Sequence, residues 1–423
     1  MVGAAGFVAA GIFLAALATI ASERVHRTKV ALAGAAVLAL FGLLDVDEAI
    51  EAVDWETLGL LIGMMILVAL TERTGVFTYV ALRVAQLSKG RPLHLIFLLA
   101  GATAVLSAFL DNLTAILLVV PVTLLLSDML RVPAVPLVLV EIFASNIGGT
   151  ATLIGDPPNI MIGTHVEQLS FLDFIVVLAP ISALVLLVVT GMLYLIYRGR
   201  LRTNPEAAAA LQGLDPMRDV RGRPNVGRSL LILGATIVGF FLHAPLHLSP
   251  AIIAMSGATA LLLVAADDVE EALERVEWAT LFFFAGLFVM VGALQKHGVI
   301  GEIADGIGAL TGDSRTIEAL VVLWGAAVGS AVVDNIPFTA AMIPVVDELQ
   351  GNEFHEATWW SLALGACFGG NATLIAAAAN VAAAGVLERS GARIRFGEFA
   401  LVGIPVTLVS LLMATAYVWL VVL

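Results

Sequence analysis

The stretch SAFLDNLTAILLVVPV at 107–122 returns 223 residues later as SAVVDNIPFTAAMIPV at 330–345. Both copies set an Asp-Asn pair, Asp111-Asn112 or Asp334-Asn335, in apolar sequence, four residues after a serine and ahead of Pro121 or Pro344. The acidic stretch DVDEAIEAVDW at 45–55 recurs at the same offset as DVEEALERVEW at 268–278. A carboxylate inside an apolar membrane segment is costly, so its presence points to ion or proton handling. Two of them at equivalent positions of an internal repeat form the pattern of a secondary transporter.

Composition places the chain in a bilayer. Of 423 residues, 60% are hydrophobic and 13% charged, against about half and about a quarter in soluble domains. The length leaves room for roughly ten spans of about 20 residues. A net charge of −13 argues against a nucleic-acid partner. The single cysteine, Cys367, excludes a disulfide framework and a Cys-rich metal cluster. The first apolar run has no basic flank before it and is expected to be a transmembrane helix, not a cleaved signal.

Apolar runs cover 3–21, 30–44, 57–70, 95–126, 135–163 and 174–197, then 229–248, 250–266, 279–294, 317–349, 358–386 and 398–423. This predicts a first transmembrane repeat at 1–197 and a second at 229–423. Between them, 198–228 carries seven arginines and reads as a cytoplasmic linker by the positive-inside rule. The runs 95–126 and 317–349 have the Asp-Asn pairs at their middles, with legs of about 15 residues. Two full spans need about 40 residues plus a turn, so each run is expected to be a re-entrant helical hairpin with a buried tip. One hairpin and five crossings per repeat is an odd number, which makes the two repeats inverted. Loop charge agrees. The segment 72–94 holds Arg73, Arg83, Lys89 and Arg91 against Glu72, whereas 295–316 holds Lys296 and Arg315 against Glu302, Asp305 and Asp313. Trp55, Trp278, Trp359 and Trp360 are expected in the interfacial belt.

After each hairpin comes a glycine-rich break, SNIGGTATLIGDPPN at 145–159 and CFGGNATLIAAAAN at 367–380. The glycine pairs Gly148-Gly149 and Gly369-Gly370 relax the helix, and Pro157 and Pro158 remove two backbone donors. Half-helix ends then face mid-membrane, where donor ends attract anions and carbonyl ends attract cations. Asn146, Thr150, Thr152, Asn159, Asn371, Thr373 and Asn380 supply neutral donors and acceptors there. Asp111 and Asp334, with Asn112, Thr114 and Asn335, form the expected ion site, a candidate sodium site included. Asp156 stands before two prolines and either caps a helix or joins that site. Glu141, upstream of the first break, either relays protons or sits at an interface.

These motifs resemble the ion transporter superfamily, with arsenite permeases, NhaD-type sodium/proton antiporters and the melanosomal P protein as the most similar branches. The resemblance covers essentially the whole chain. Dicarboxylate and citrate transporters of that superfamily carry Ser-Asn-Thr at the hairpin tips, where this chain has Asp111-Asn112-Leu113-Thr114 and Asp334-Asn335-Ile336-Pro337. An added carboxylate repels a dianionic substrate at close range. The resemblance implies an all-α polytopic fold of two inverted repeats, each with about five transmembrane helices, a re-entrant hairpin and a broken helix. It further implies a homodimer in the plasma membrane and, for an arsenite pump, an energising ATPase subunit. Transport of a small inorganic ion or an oxyanion such as arsenite, coupled to protons or sodium, is the leading expectation. Sodium/proton exchange, dicarboxylate or citrate transport and an uncoupled channel are the alternatives. No enzyme activity and no cofactor beyond a bound sodium ion or transported protons are expected.

Overall fold

The first half folds into ten helices: α1 (Ala4–Ala21), α2 (Arg27–Leu40), α3 (Val46–Glu51), α4 (Trp55–Glu72), α5 (Val76–Leu87), α6 (Pro92–Phe109), α7 (Asn112–Leu130), α8 (Ala134–Gly149), α9 (Pro157–His165) and α10 (Phe171–Tyr197). The second half repeats them as α11 (Val226–Leu246), α12 (Pro250–Ala265), α13 (Val269–Glu274), α14 (Trp278–Lys296), α15 (Val299–Thr311), α16 (Arg315–Val332), α17 (Asn335–Gln350), α18 (Glu356–Gly369), α19 (Ala378–Arg389) and α20 (Phe396–Tyr417). This computed structural model describes all residues except 1, 23, 202–208, 210, 214, 221–224, 266–268, 313 and 352, and holds no strand among the described residues. Nine helices among them are long and apolar enough to cross a membrane. The outward faces keep large apolar side chains such as Phe7, Leu231, Leu263 and Leu401, as helices apolar all round require when lipid replaces water.

Local chemistry sets the helix ends twice over. Asp45 and Glu48 form a capping box on α3, and Ser170 and Asp173 form one on α10. Gly75 and Gly298 adopt left-handed backbone at φ 75° and 72° before α5 and α15, a conformation glycine reaches without a Cβ penalty. The repeats interlock: α2 packs on α14, and its counterpart α12 packs on α4. The second helix of each half therefore packs on the fourth helix of the other. Part of the linker docks on α5, where Gln86 Nε2 donates to the Leu211 carbonyl and Gln212 Nε2 to that of Gln86. Most of the arginine-bearing stretch 202–224 lies outside the described residues.

Two expectations need correction. The hairpin legs α6 and α7 are 18 and 19 residues long, and α16 and α17 are 18 and 16, so length alone does not separate them from spans. The tips between the legs are buried, held by polar contacts to the breaks that follow α8 and α18. The tryptophans also divide. Trp55 and Trp278 are exposed, but Trp359 and Trp360 are buried, Trp360 edge-on to Phe174 at 4.9 Å. Both belong to α18, which is enclosed along nearly its whole length, so its aromatics pack in the core.

Candidate ion-binding site

The hairpin tips meet the helix breaks through the same bonds in both repeats. Ser107 Oγ donates to the Ser145 carbonyl at 2.7 Å, and Ser330 Oγ donates to the Ala366 carbonyl at 2.7 Å. Thr152 Oγ1 donates to the Ala108 carbonyl, and Thr373 Oγ1 to that of Ala331. Asn159 Nδ2 holds the Thr150 and Thr152 carbonyls; Asn380 Nδ2 holds those of Thr373 and of Gly370, one residue short of the counterpart of Thr150. Between the repeats, Asn146 Nδ2 donates to Asn371 Oδ1 at 3.1 Å and Asn380 Oδ1 at 3.0 Å. Cys367, at the position of Asn146 in the second copy, reaches Asn159 Oδ1 at 3.6 Å. Asn112 Nδ2 approaches Asn146 Oδ1 at 3.3 Å, and Thr150 Oγ1 donates back to the Asn146 carbonyl. The amides expected to face a ligand are therefore largely spent on clamping the breaks.

The glycines have a packing role. A Cβ on Gly148 would meet Ala104 Cα and O at 2.4 Å, and one on Gly369 would meet the Ala327 carbonyl oxygen at 2.5 Å. Gly149 similarly abuts the Gly155 carbonyl, while Gly370 is less crowded. Close backbone approach of α8 to α6 and of α18 to α16 is what these residues permit.

Two of the three aspartates cap helices, and the third does not. Asp111 caps α7, accepting from Thr114 N at 2.8 Å and Thr114 Oγ1 at 2.5 Å. Asp334 caps α17, accepting from Ile336 N at 3.0 Å. Asp156, at the N-cap position of α9, makes no capping bond. Fully buried, it accepts from Asn335 Nδ2 at 3.1 Å through Oδ1, and its Oδ2 has no hydrogen-bond partner among the described residues. Asn371 Nδ2 is likewise unpaired among the described residues. Ala377 replaces this acid at the start of α19, leaving that end without a carboxylate.

A cavity of about 20 Å³ lies where these ends converge, lined by Asp111, Asn112, Asn335, Glu277, Pro157 and Ala378 among others. That volume holds about one water molecule. Pro157 and Ala378 open α9 and α19, so with α7 and α17 four helix N-termini reach the cavity. Each N-terminus carries roughly half a positive charge. Asp334 lines the adjoining vestibule of about 450 Å³ with His26, Arg27 and Ala378, so the expected sodium ligand set is divided between two spaces. Arg27 bonds Asp334 Oδ2 at 3.3 Å, approaches Thr280 Oγ1 at 3.5 Å and lies over the Phe283 ring at 5.1 Å. Among the described residues, no group of three His, Cys, Asp or Glu is placed to hold a metal ion.

Arg27, Glu277 and the serines 107, 145 and 330 were not anticipated as site residues. Arg27 reads as part of a basic loop in sequence, and its partner is 307 residues away. The serines had a signal, since Ser107 and Ser330 recur at the repeat offset.

Comparison with known proteins agrees with this architecture. The citrate transporter family profile matches residues 17–365. An uncharacterized transporter of Mycobacterium tuberculosis is 41% identical over 98% of each chain, and a 46 kDa membrane protein of Mycobacterium leprae is 39% identical over the same shares. The P protein of Mus musculus is 36% identical across 93% of this chain, which spans 58% of that protein. The crystal structure of the Alcanivorax borkumensis YdaH transporter has the same fold, with a TM-score of 0.57, 17% identity and 98% coverage of both chains. An all-helical chain with duplicated hairpins and breaks, and with relatives of this kind, belongs to the citrate transporter family of membrane transporters.

Proposed function

We propose that the chain is a secondary active transporter that exchanges a small monovalent cation, sodium in the first instance, for protons. The observation that carries this is the set of aspartates at the N-cap positions of three of the four helices converging on a cavity the size of one water. In a dicarboxylate carrier, helix N-termini attract the carboxylates of the substrate. Here Asp111, Asp156 and Asp334 occupy those positions with the protein's own carboxylates. Four N-termini contribute about two positive charges, and Arg27 adds one. Asp111, Asp156, Asp334 and Glu277, when ionised, exceed this by about one negative charge. A site with an excess near one unit suits a proton or one sodium ion.

Neutral arsenite-type hydroxides fit less well. They need free amide and hydroxyl donors, and those of Asn146, Asn159, Asn380, Thr150, Thr152 and Thr373 are engaged within the protein. The proposal includes inverted repeats, supported by the odd number of crossings expected per repeat and by the loop-charge asymmetry, with each hairpin moving against its scaffold in alternating access. It also includes a homodimer in the plasma membrane. Coupling to an ion gradient needs no ATPase subunit.

Purified protein in liposomes containing a pH-sensitive dye tests the reading. Sodium addition is expected to collapse an imposed pH gradient, and Asp111→Asn to abolish the response. Uptake of citrate or succinate without pH dependence, or arsenite flux with no sodium response, would overturn it.

A further inference from the structure

The first repeat buries an acid that the ion cavity does not use. Glu141 of α8 has no exposed surface; Thr123 Oγ1 of α7 donates to its Oε1, and its Oε2 has no partner among the described residues. The helices packed against α8 are α6, α7, α10, α18 and α19, and α20 touches it through Phe399, whose ring lies 5.4 Å from that of Phe143. Their ionisable residues His94, Asp128, Asp173, Tyr194, Tyr197, Glu356, Glu388, Arg389, Glu398 and Tyr417 stand near helix ends, and Asp111 and Cys367 belong to the ion site. Among the described residues, none of these bonds Glu141. An ionised carboxylate with one neutral donor and no cation is strongly disfavoured in apolar packing.

The second repeat shows that the fold has no need of an acid here. Aligning the hairpins and breaks puts Val346 at the position of Thr123, Leu362 at that of Glu141 and Ala366 at that of Ser145, all of them fully buried. Packing is satisfied without a polar atom. In the first repeat, Ser145 lies one helical turn beyond Glu141, about 6 Å along the same face. Its hydroxyl reaches the Asn112 carbonyl at 2.9 Å and Ser107 Oγ at 3.2 Å. Ser145 thus ties the same face of α8 to the hairpin tip, while Glu141 ties it to the α7 leg. Thr123 follows Pro121, the interruption inside α7, so the bond to Glu141 sits just past the point where that leg bends most easily.

We propose that Glu141 is a second proton-binding site, outside the ion cavity and confined to the first repeat, whose occupancy holds the α7 leg against α8. The proton adds to Oε2 of the carboxylate and, on release, passes from that oxygen to solvent water. Its release leaves a charge that the apolar contact does not tolerate, which favours separation of the leg from α8. The role in coupling rests on the cation-exchange reading; the proton site itself does not.

Infrared difference spectra of the full chain in lipid nanodiscs, titrated with pH, test the site directly. A protonated-carboxyl C=O band is expected in the wild type, absent in Glu141→Gln and shifted in Thr123→Val, which keeps the acid and loses its donor. Glu141→Leu copies Leu362 and is expected to fold. In liposomes, both Glu141 variants are expected to transport with a displaced pH profile. A Glu141→Gln spectrum identical to wild type overturns the proton site even where sodium flux is normal. A lost band with no cation flux in any protein upholds the site and defeats the exchange reading. A lost band with superimposable pH profiles overturns the coupling role.

Discussion

The pair Arg27–Asp334 allows a quantitative test, because removing either partner leaves a different residue stranded. The charges are 3.3 Å apart, with side-chain exposures of 22% and 7%. At an effective dielectric of about 20, their attraction is roughly 5 kcal/mol, and desolvation offsets much of it. A net coupling of about 2 kcal/mol is the working figure for one charge-assisted bond of this length. Arg27→Gln strands the more deeply buried carboxylate and is expected to destabilise by about 3 kcal/mol, the lower end for breaking a buried pair. Asp334→Asn leaves a guanidinium that still touches water and stacks on Phe283, so the loss is expected to be about 1–2 kcal/mol. The double variant then falls short of the sum by the coupling energy. Reversible SDS unfolding in mixed micelles, with all four proteins, measures the cycle. Losses that add within about 0.5 kcal/mol would show no interaction and would refute the claim that Arg27 neutralises Asp334.

Asp156→Asn keeps the bond to Asn335 and removes the ionisable oxygen, so folding is expected to hold while apparent sodium affinity falls about tenfold, equal to about 1.4 kcal/mol; unchanged affinity in the liposome assay would remove Asp156 from the site. Gly148→Ala drives a methyl into the Ala104 backbone and is expected to destabilise by about 1–3 kcal/mol, whereas Gly370→Ala, whose nearest contact is 3.1 Å, is milder; equal melting temperatures would contradict this. His165 lies two residues beyond the apolar run and pairs with Asp347 at 2.6 Å across the repeats. Burial opposes the charged imidazolium, but the Asp347 carboxylate outweighs it and holds the imidazole above its ordinary 6.5. A raised value means the bridge stabilises fully below that pH and fades as pH rises through the folded value, so the stability gap between wild type and His165→Gln should close on alkalinisation; a gap that widens would reverse the assignment. Single cysteines at Arg83 and Asp305 in a Cys367→Ser background should label from opposite faces of intact cells, and equal labelling would rule out inversion.

The duplicated order of serine, Asp-Asn, Gly-Gly and closing asparagine lay open in the sequence because a repeat is a property of the chain alone. Helix boundaries followed from local chemistry as well, since Asp111, Ser170 and the turn glycines act on neighbours a few residues away. Function class came from the same source, because a buried carboxylate costs free energy wherever its helix finally sits. The partner of each polar group was a different matter. Whether Asn146 faces a ligand or another asparagine depends on residues 225 and 234 positions away. Asp156 stands beside prolines that invite a cap, yet the tip of the opposite hairpin claims its oxygen. Trp359 and Trp360 resemble interfacial anchors until α18 is seen enclosed on all sides. Arg27 showed only its charge, and its bond to Asp334 exists because α2 packs across the repeat boundary. Periodicity and local capping energies are written in consecutive residues; electrostatic pairing and burial are set by distance in space, which only the interlocking of the two repeats decides.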